Sequence, residues 1–203
     1  MKVWALALAI ICFDPQPFIH TAVARQQETG FGDAVADSMR VATQADVAWI
    51  AGGEFREITL KPGAGADDVA SLLDDPAAPL VVVSLTGRTI REALEWGLQQ
   101  YPKPGKAFLH VSGVRVAFGA QPREGRRVRA VALPGGTLAP DRLYRVAMTR
   151  TLAIGSFGFF RFWPEARGAR VEPVTLGEAA RKALANNPVV ARGDGRMLER
   201  AGE

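Results

Sequence analysis

The chain has 203 residues, 48% hydrophobic and 23% charged, and a formal net charge of +4. That length suits one compact domain able to bury an adequate core. A lone cysteine, Cys12, excludes a disulfide framework, and so mild a basic balance is weak ground for a nucleic-acid partner.

In chain order, the first element is a leader. Lys2 supplies a positive charge, Val3 to Phe13 is an uncharged apolar run, and a polar, Pro-containing stretch ends in Ala22-Val23-Ala24. This is the pattern of a secretory signal peptide over residues 1–24; the alternative is an uncleaved interfacial anchor. The run is too short to span a bilayer core, which takes about 20 residues. Ile11 stands before Cys12 where a lipoprotein signal carries a small residue. Cleavage after Ala24 leaves residues 25–203 as one domain, periplasmic or secreted, without cysteine or membrane contact and with His110 as its one histidine.

Asp33 to Ala42 carries apolar residues at helical spacing. Val47 to Ala51 reads as a buried strand entering the tight Gly52-Gly53 turn. Asp67-Asp68 is expected to cap a short helix through Leu73. Leu80 to Leu85 is strongly β-branched and reads as a strand. Thr86-Gly87 then opens a helix from Arg88 to Gln100, with Ile90, Ala93-Leu94 and Gly97-Leu98 on one face, stopped by Pro102 and Pro104. Phe108–Val111, Val114–Phe118, Val128–Leu133 and Tyr144–Met148 read as strands, and a last helix runs from about Leu176 to Ala185. The run from Arg123 to Arg129 holds four arginines around Glu124-Gly125 and reads as a solvated hairpin turn, with no nucleic-acid partner. The fold class is α+β, a single domain with a mixed sheet and flanking helices.

Six segments carry a resemblance. Glu28-Thr29-Gly30-Phe31-Gly32-Asp33 to Arg40 and Ala45-Asp46-Val47-Ala48-Trp49-Ile50-Ala51-Gly52-Gly53-Glu54-Phe55-Arg56 open it. Val81 to Gly87, Arg91 to Glu95, Phe108 to Gly113 and Tyr144 to Met148 follow in order. Together they resemble the C-terminal, substrate-binding domain of the 5'-nucleotidase family. The resemblance implies a link to nucleotide breakdown by hydrolysis, with two metal ions held in a separate phosphoesterase domain, and a substrate phosphate met by arginines. It says less about activity, because function belongs to the site and not to the fold.

The family's usual turn is Asn-Gly-Gly-Gly-Ile-Arg; here it is Ala51-Gly52-Gly53-Glu54-Phe55-Arg56. The resemblance makes Gly52, Gly53 and Arg56 substrate-binding residues, and Arg56 has the planar fork that suits a phosphate. Arg25 matches a position where some relatives place another phosphate-facing arginine. Glu54 adds a negative charge that disfavours an anion, or else pairs with Arg56 and covers the pocket. The two phenylalanines that sandwich the base in relatives fall at Pro76 and Thr151, and the loop aspartate falls at Phe157. Stacking contributes about 1–3 kcal/mol per base in nucleic-acid systems, so the site reads as degenerate.

Phe157, Phe159, Phe160, Phe162 and Trp163 crowd into seven residues. Read as a strand, Phe157, Phe159 and Trp163 share one face with Arg161. This is either a partner-binding patch or core packing. One imidazole cannot supply a two-metal site, and His110 with Ser112 lies in a segment the family uses for structure. No catalytic residue, metal ligand set or cofactor is therefore assigned. Three functions stay open: an inactive domain that binds a nucleotide or other phosphorylated small molecule weakly, an interaction scaffold for another protein, or half of a split hydrolase whose metallophosphoesterase is a separate chain.

Overall fold

Alternation of side chains along three central strands sets the architecture. The computed structural model describes residues 19–21, 23–61, 64–65, 67–123, 126–163, 169–186 and 193–200. Most of the expected leader, residues 1–18 and 22, and the Glu124-Gly125 tip lie outside them. In chain order the elements are β1 (Ile19–His20), α1 (Gly30–Thr43), β2 (Val47–Ala51), a 3-10 turn (Gly52–Glu54), β3 (Thr59–Leu60), a second 3-10 turn (Asp68–Leu72) and β4 (Pro79–Thr86). Then come α2 (Gly87–Gly97), β5 (Leu109–Ser112), β6 (Arg115–Arg123), β7 (Arg126–Leu133), β8 (Gly136–Thr137) and β9 (Leu143–Thr149). The chain continues through α3 (Arg150–Ala153), a third 3-10 segment (Ser156–Arg161), β10 (Arg170–Thr175), α4 (Leu176–Asn186) and β11 (Met197–Glu199).

The central sheet has the order β10-β4-β9-β2-β5 and is antiparallel except between β2 and β9. Both faces of its inner strands are covered, so β2, β4 and β9 are mostly apolar rather than alternating polar and apolar. Ala48, Ile50, Leu80, Val82 and Ala147 pack with Phe31, Val35, Met39, Leu176 and Ala180 of α1 and α4. Val47, Trp49, Val81, Leu85, Tyr144, Val146 and Met148 face a second layer. That layer holds α2, the aromatic segment and a second sheet of order β11-β6-β7-β8. The fold is thus α+β with a mixed sheet and flanking helices, as the sequence predicts, with a second sheet that it does not.

Local chemistry sets the element ends. Thr29 caps α1 by accepting from the Gly32 amide at 3.1 Å, and Thr86 caps α2 by accepting from Thr89 at 3.2 Å. Helix α2 ends at Gly97, short of the expected Gln100. The residue before a proline is pushed out of the helical region, and residues 98–101 wind into a turn ahead of Pro102. The helix expected at Asp67-Asp68 is a 3-10 turn; Asp68 accepts from the Gly65 amide at 2.8 Å, and Asp67 makes no side-chain cap.

The domain also takes in residues assigned above to the leader. β1 pairs antiparallel with β3. Thr21 is buried, and its hydroxyl donates to the Ile58 carbonyl at 2.9 Å. Ala24 is fully buried, and its carbonyl accepts from His110 Nε2 at 2.9 Å. Residues 19–21 and 24 therefore pair or pack with the domain, His20 lying opposite Thr59 in the β1–β3 pair.

Candidate functional site

Strand β2 delivers the chain into the Gly52–Glu54 turn, and close backbone approach explains both glycines. A Cβ at Gly52 would collide with the Ala24 carbonyl, and one at Gly53 would lie 2.7 Å from the Phe157 ring and 2.8 Å from Lys106 Cβ. The Gly52 amide donates to the Phe108 carbonyl at 2.7 Å and the Gly53 amide to the Lys106 carbonyl at 2.8 Å. Both N–H groups are occupied, so Gly52 and Gly53 shape this edge and do not offer their amides to an anion.

Glu54 does not pair with Arg56. Its side chain turns inward, where it accepts from the Ala51 amide at 2.9 Å and from the Thr149 hydroxyl. Burial pushes its carboxyl up to about 7, against the two hydrogen bonds that favour the ionised form. The charge expected to repel a phosphate is therefore withdrawn from the surface. Arg56 is exposed, and among the described residues its side chain donates to the Asp74 carbonyl alone, at 3.4 Å. Arg25 lies alongside: it pairs with Glu57, reaches the Phe55 carbonyl at 3.5 Å, and abuts Gly52 through its Cα. Its own carbonyl accepts from Gly105 at 2.7 Å. Arg25 thus lies against the Gly52–Glu54 turn, and Arg56 follows that turn in the chain.

The aromatic segment is not a strand. Phe157 and Gly158 take left-handed backbone angles (φ 57° and 89°) inside the 3-10 segment. Such a conformation costs a non-glycine residue on the order of 1–3 kcal/mol. Trp96 Nε1 donates to the Phe157 carbonyl at 2.9 Å and helps hold it there. Phe159 and Trp163 are buried, stacked at 5.2 Å, and Trp163 stacks again on Trp49 at 5.8 Å. This corrects their assignment as partner-binding residues: they form core. Phe157 is half-buried against Gly53, over the turn itself. Phe160, not picked out, is the exposed ring at 59%. Pro76 accepts from the Gly177 amide at 2.8 Å, and Thr151 lies in the first turn of α3.

His110 and Ser112 do not work together. Burial depresses His110 to about 4, only partly opposed by its bond to Ala24, so the imidazole is neutral. Ser112 donates instead to Asp37 at 2.5 Å and accepts from Arg40 Nε at 2.8 Å.

One carboxylate cluster is present among the described residues. Oxygens of Glu28, Asp33 and Asp194 lie within 4.8 Å of one another. Asp33 is buried, and its carboxyl lies against the Glu28 carboxylate. Burial first, then contact with the Glu28 carboxylate, push Asp33 up to about 9, so it is protonated at neutral pH. Arg196 already supplies the counter-charge: 2.7 Å to Asp37, 2.9 Å to Asp194 and 3.9 Å to Asp33. The cluster fixes β11 to α1: Arg196 reaches Asp37 on α1, and Glu28, before the helix, accepts from the Gly195 and Met197 amides. Asp33 and Asp37, four apart on a helix, were a legible hint of a shared carboxylate face.

Comparison with known proteins agrees with this geometry. The sequence model of the 5'-nucleotidase C-terminal domain matches residues 13–162. The trifunctional nucleotide phosphoesterase protein YfkN of Bacillus subtilis (strain 168) is 31% identical over 153 residues, 71% of this chain and 10% of that protein. The structure of a 5'-nucleotidase precursor from Thermus thermophilus superposes with a TM-score of 0.77 at 29% identity, over 91% of this chain and 38% of that one. The NAD nucleotidase of Haemophilus influenzae shares the fold, with a TM-score of 0.75 at 17% identity, over 92% of this chain and 37% of that one. The chain thus spans a tenth of the curated relative and less than two fifths of these solved chains.

Proposed function

The chain belongs to the 5'-nucleotidase family through its C-terminal domain, and on that premise we propose that it binds a nucleotide or other phosphorylated small molecule weakly along the Arg25–Arg56 edge and does not hydrolyse it unaided. The observation that carries this reading is the inward turn of Glu54. It withdraws one acid from an edge where Glu57 still pairs with Arg25, and leaves Arg56 exposed with one long side-chain hydrogen bond among the described residues. A guanidinium in that state retains the donors for a bidentate phosphate contact. The occupied amides of Gly52 and Gly53, the Phe157 ring over the turn, and the lack of rings at Pro76 and Thr151 support weak rather than tight binding.

Hydrolysis in this reading needs a metal-holding phosphoesterase domain. A separate chain carrying that domain is the second reading, and co-purification of a metallophosphoesterase would support it. Export to the periplasm or medium is part of the proposal, supported by the apolar run of residues 3–13; among the described residues no helix is long and apolar enough to cross a membrane.

Phosphate release from AMP by the full chain with added divalent metal is the test. The rate is expected to equal the metal-only blank. Release above the blank that disappears in Arg56→Ala would overturn the non-catalytic reading.

A further inference from the structure

The arginine-rich hairpin that the proposed function leaves unused builds a cavity of its own. A pocket of about 550 Å³ opens between the first turns of α2 and the β7–β8 hairpin. This falls within the size range of small-molecule sites, roughly 300–1,000 Å³. Its lining includes Arg88, Arg91, Arg126 and Arg129 beside Val131 and Leu138. It shares no lining residue with the Arg25–Arg56 edge.

Two of these guanidinium groups are fixed with no acidic partner among the described residues. Arg91 Nη2 donates to the Val128 carbonyl at 2.8 Å. Arg129 donates from Nη1 to the Arg126 carbonyl at 2.8 Å and from Nη2 to the Gln121 carbonyl at 3.0 Å. Carbonyl acceptors hold the side chains in place yet cancel no charge, so both add a fixed positive field to the lining. The other two are available. Arg88 is 66% exposed in a solvated pair with Asp141 at 3.2 Å, a type of pair worth little. The Arg126 side chain is exposed with no acidic partner among the described residues.

Two acids, Glu92 and Glu95, also line the pocket. Both oxygens of Glu95 are engaged, accepting from the Arg127 amide at 2.5 Å and the Val128 amide at 2.8 Å. The exposed Glu92 is left to face a ligand. Four cations against two acids leave the lining net positive, above an apolar floor. We infer that this pocket is a second binding site, for a small organic phosphate or sulfate monoester whose apolar body rests on Val131 and Leu138 while its anion meets Arg88 and Arg126. A hydroxyl on that body would meet Glu92.

The probe is phenyl phosphate, titrated calorimetrically into the full chain carrying Arg56→Ala, so that the other edge contributes little signal. Saturable one-site binding with a Kd below about 1 mM is expected. Adding Arg88→Ala and Arg126→Ala, both at exposed positions, should weaken it at least roughly tenfold, the effect of losing a charge-assisted hydrogen bond. Inorganic phosphate should bind more weakly than phenyl phosphate. No saturable heat, unchanged affinity in the triple variant with its unfolding midpoint preserved, or equal affinity for inorganic phosphate would each overturn the assignment. None of those outcomes bears on the Arg25–Arg56 edge.

Discussion

Replacing Glu54 by glutamine should change how stability depends on pH while leaving the fold intact. In the folded domain this buried carboxyl titrates at about 7, against an ordinary value of 4.5. Between those values the unfolded chain has lost the proton and the folded chain keeps it. Stability from this group is therefore fully present below pH 4.5 and is lost as pH rises towards 7. A shift of that size corresponds to about 3 kcal/mol, at 1.36 kcal/mol per unit. His110 works in the opposite sense: held near 4 in the fold, it costs stability as pH falls from 6.5 towards 4. The two slopes largely cancel between pH 4.5 and 6.5, so wild type alone hides both. Glu54→Gln mimics the protonated acid, its amide oxygen accepting from Ala51 and its NH₂ facing Thr149. Relative to wild type, the variant should gain about 3 kcal/mol between pH 4.5 and 7.5, or roughly 6–12 °C for a domain of this size. Urea unfolding at several pH values, followed by fluorescence of the buried Trp49 and Trp163, measures this directly. Parallel stability curves for the two proteins would refute the assignment of a buried, proton-retaining Glu54.

Further predictions concern the frame around the site. A chain beginning at Arg25 loses β1 and the Thr21 hydrogen bonds and leaves His110 Nε2 unpaired. It should be less stable than the full chain by roughly 3 kcal/mol or more, seen as a drop in thermal midpoint. Gly52→Ala drives a methyl into the Ala24 carbonyl and should cost about 1–3 kcal/mol in urea unfolding. Arg196→Ala leaves Asp37 and Asp194 without their cation and the Val111 carbonyl without its donor. A loss of about 1–3 kcal/mol is expected, and hydrogen exchange in β11 should accelerate more than in β4.

The central strands and the helices α1, α2 and α4 were legible because their apolar spacing is regular and their caps are conventional. Thr86 is both the end of a β-branched run and the N-cap of the next helix. The short pieces β1, β3, β8 and β11 were not legible: two- and three-residue strands have no period to detect and exist only because partners across the fold provide hydrogen bonds. β1 was also masked by the leader reading, since small residues before Arg25 fit a cleavage site as well as a buried turn. At the site, the tight Gly-Gly turn was legible from its glycines. The direction of Glu54 was not, because it depends on Thr149, 95 residues away in sequence. Alternation misled at Phe157–Trp163, where two successive left-handed residues break the strand pattern and bury Phe159 and Trp163 together.

Thermal unfolding of the full chain across nucleotides, nucleosides and sugar phosphates, with Arg56→Ala alongside, tests the proposed binding role most directly. A ligand at 100 times its Kd adds about 2.7 kcal/mol, or roughly 5–11 °C at this size. The account predicts a shift of that order at millimolar concentration with phosphorylated ligands, absent with nucleosides and lost in Arg56→Ala. No shift with any phosphorylated ligand, or one that Arg56→Ala leaves intact, would contradict it.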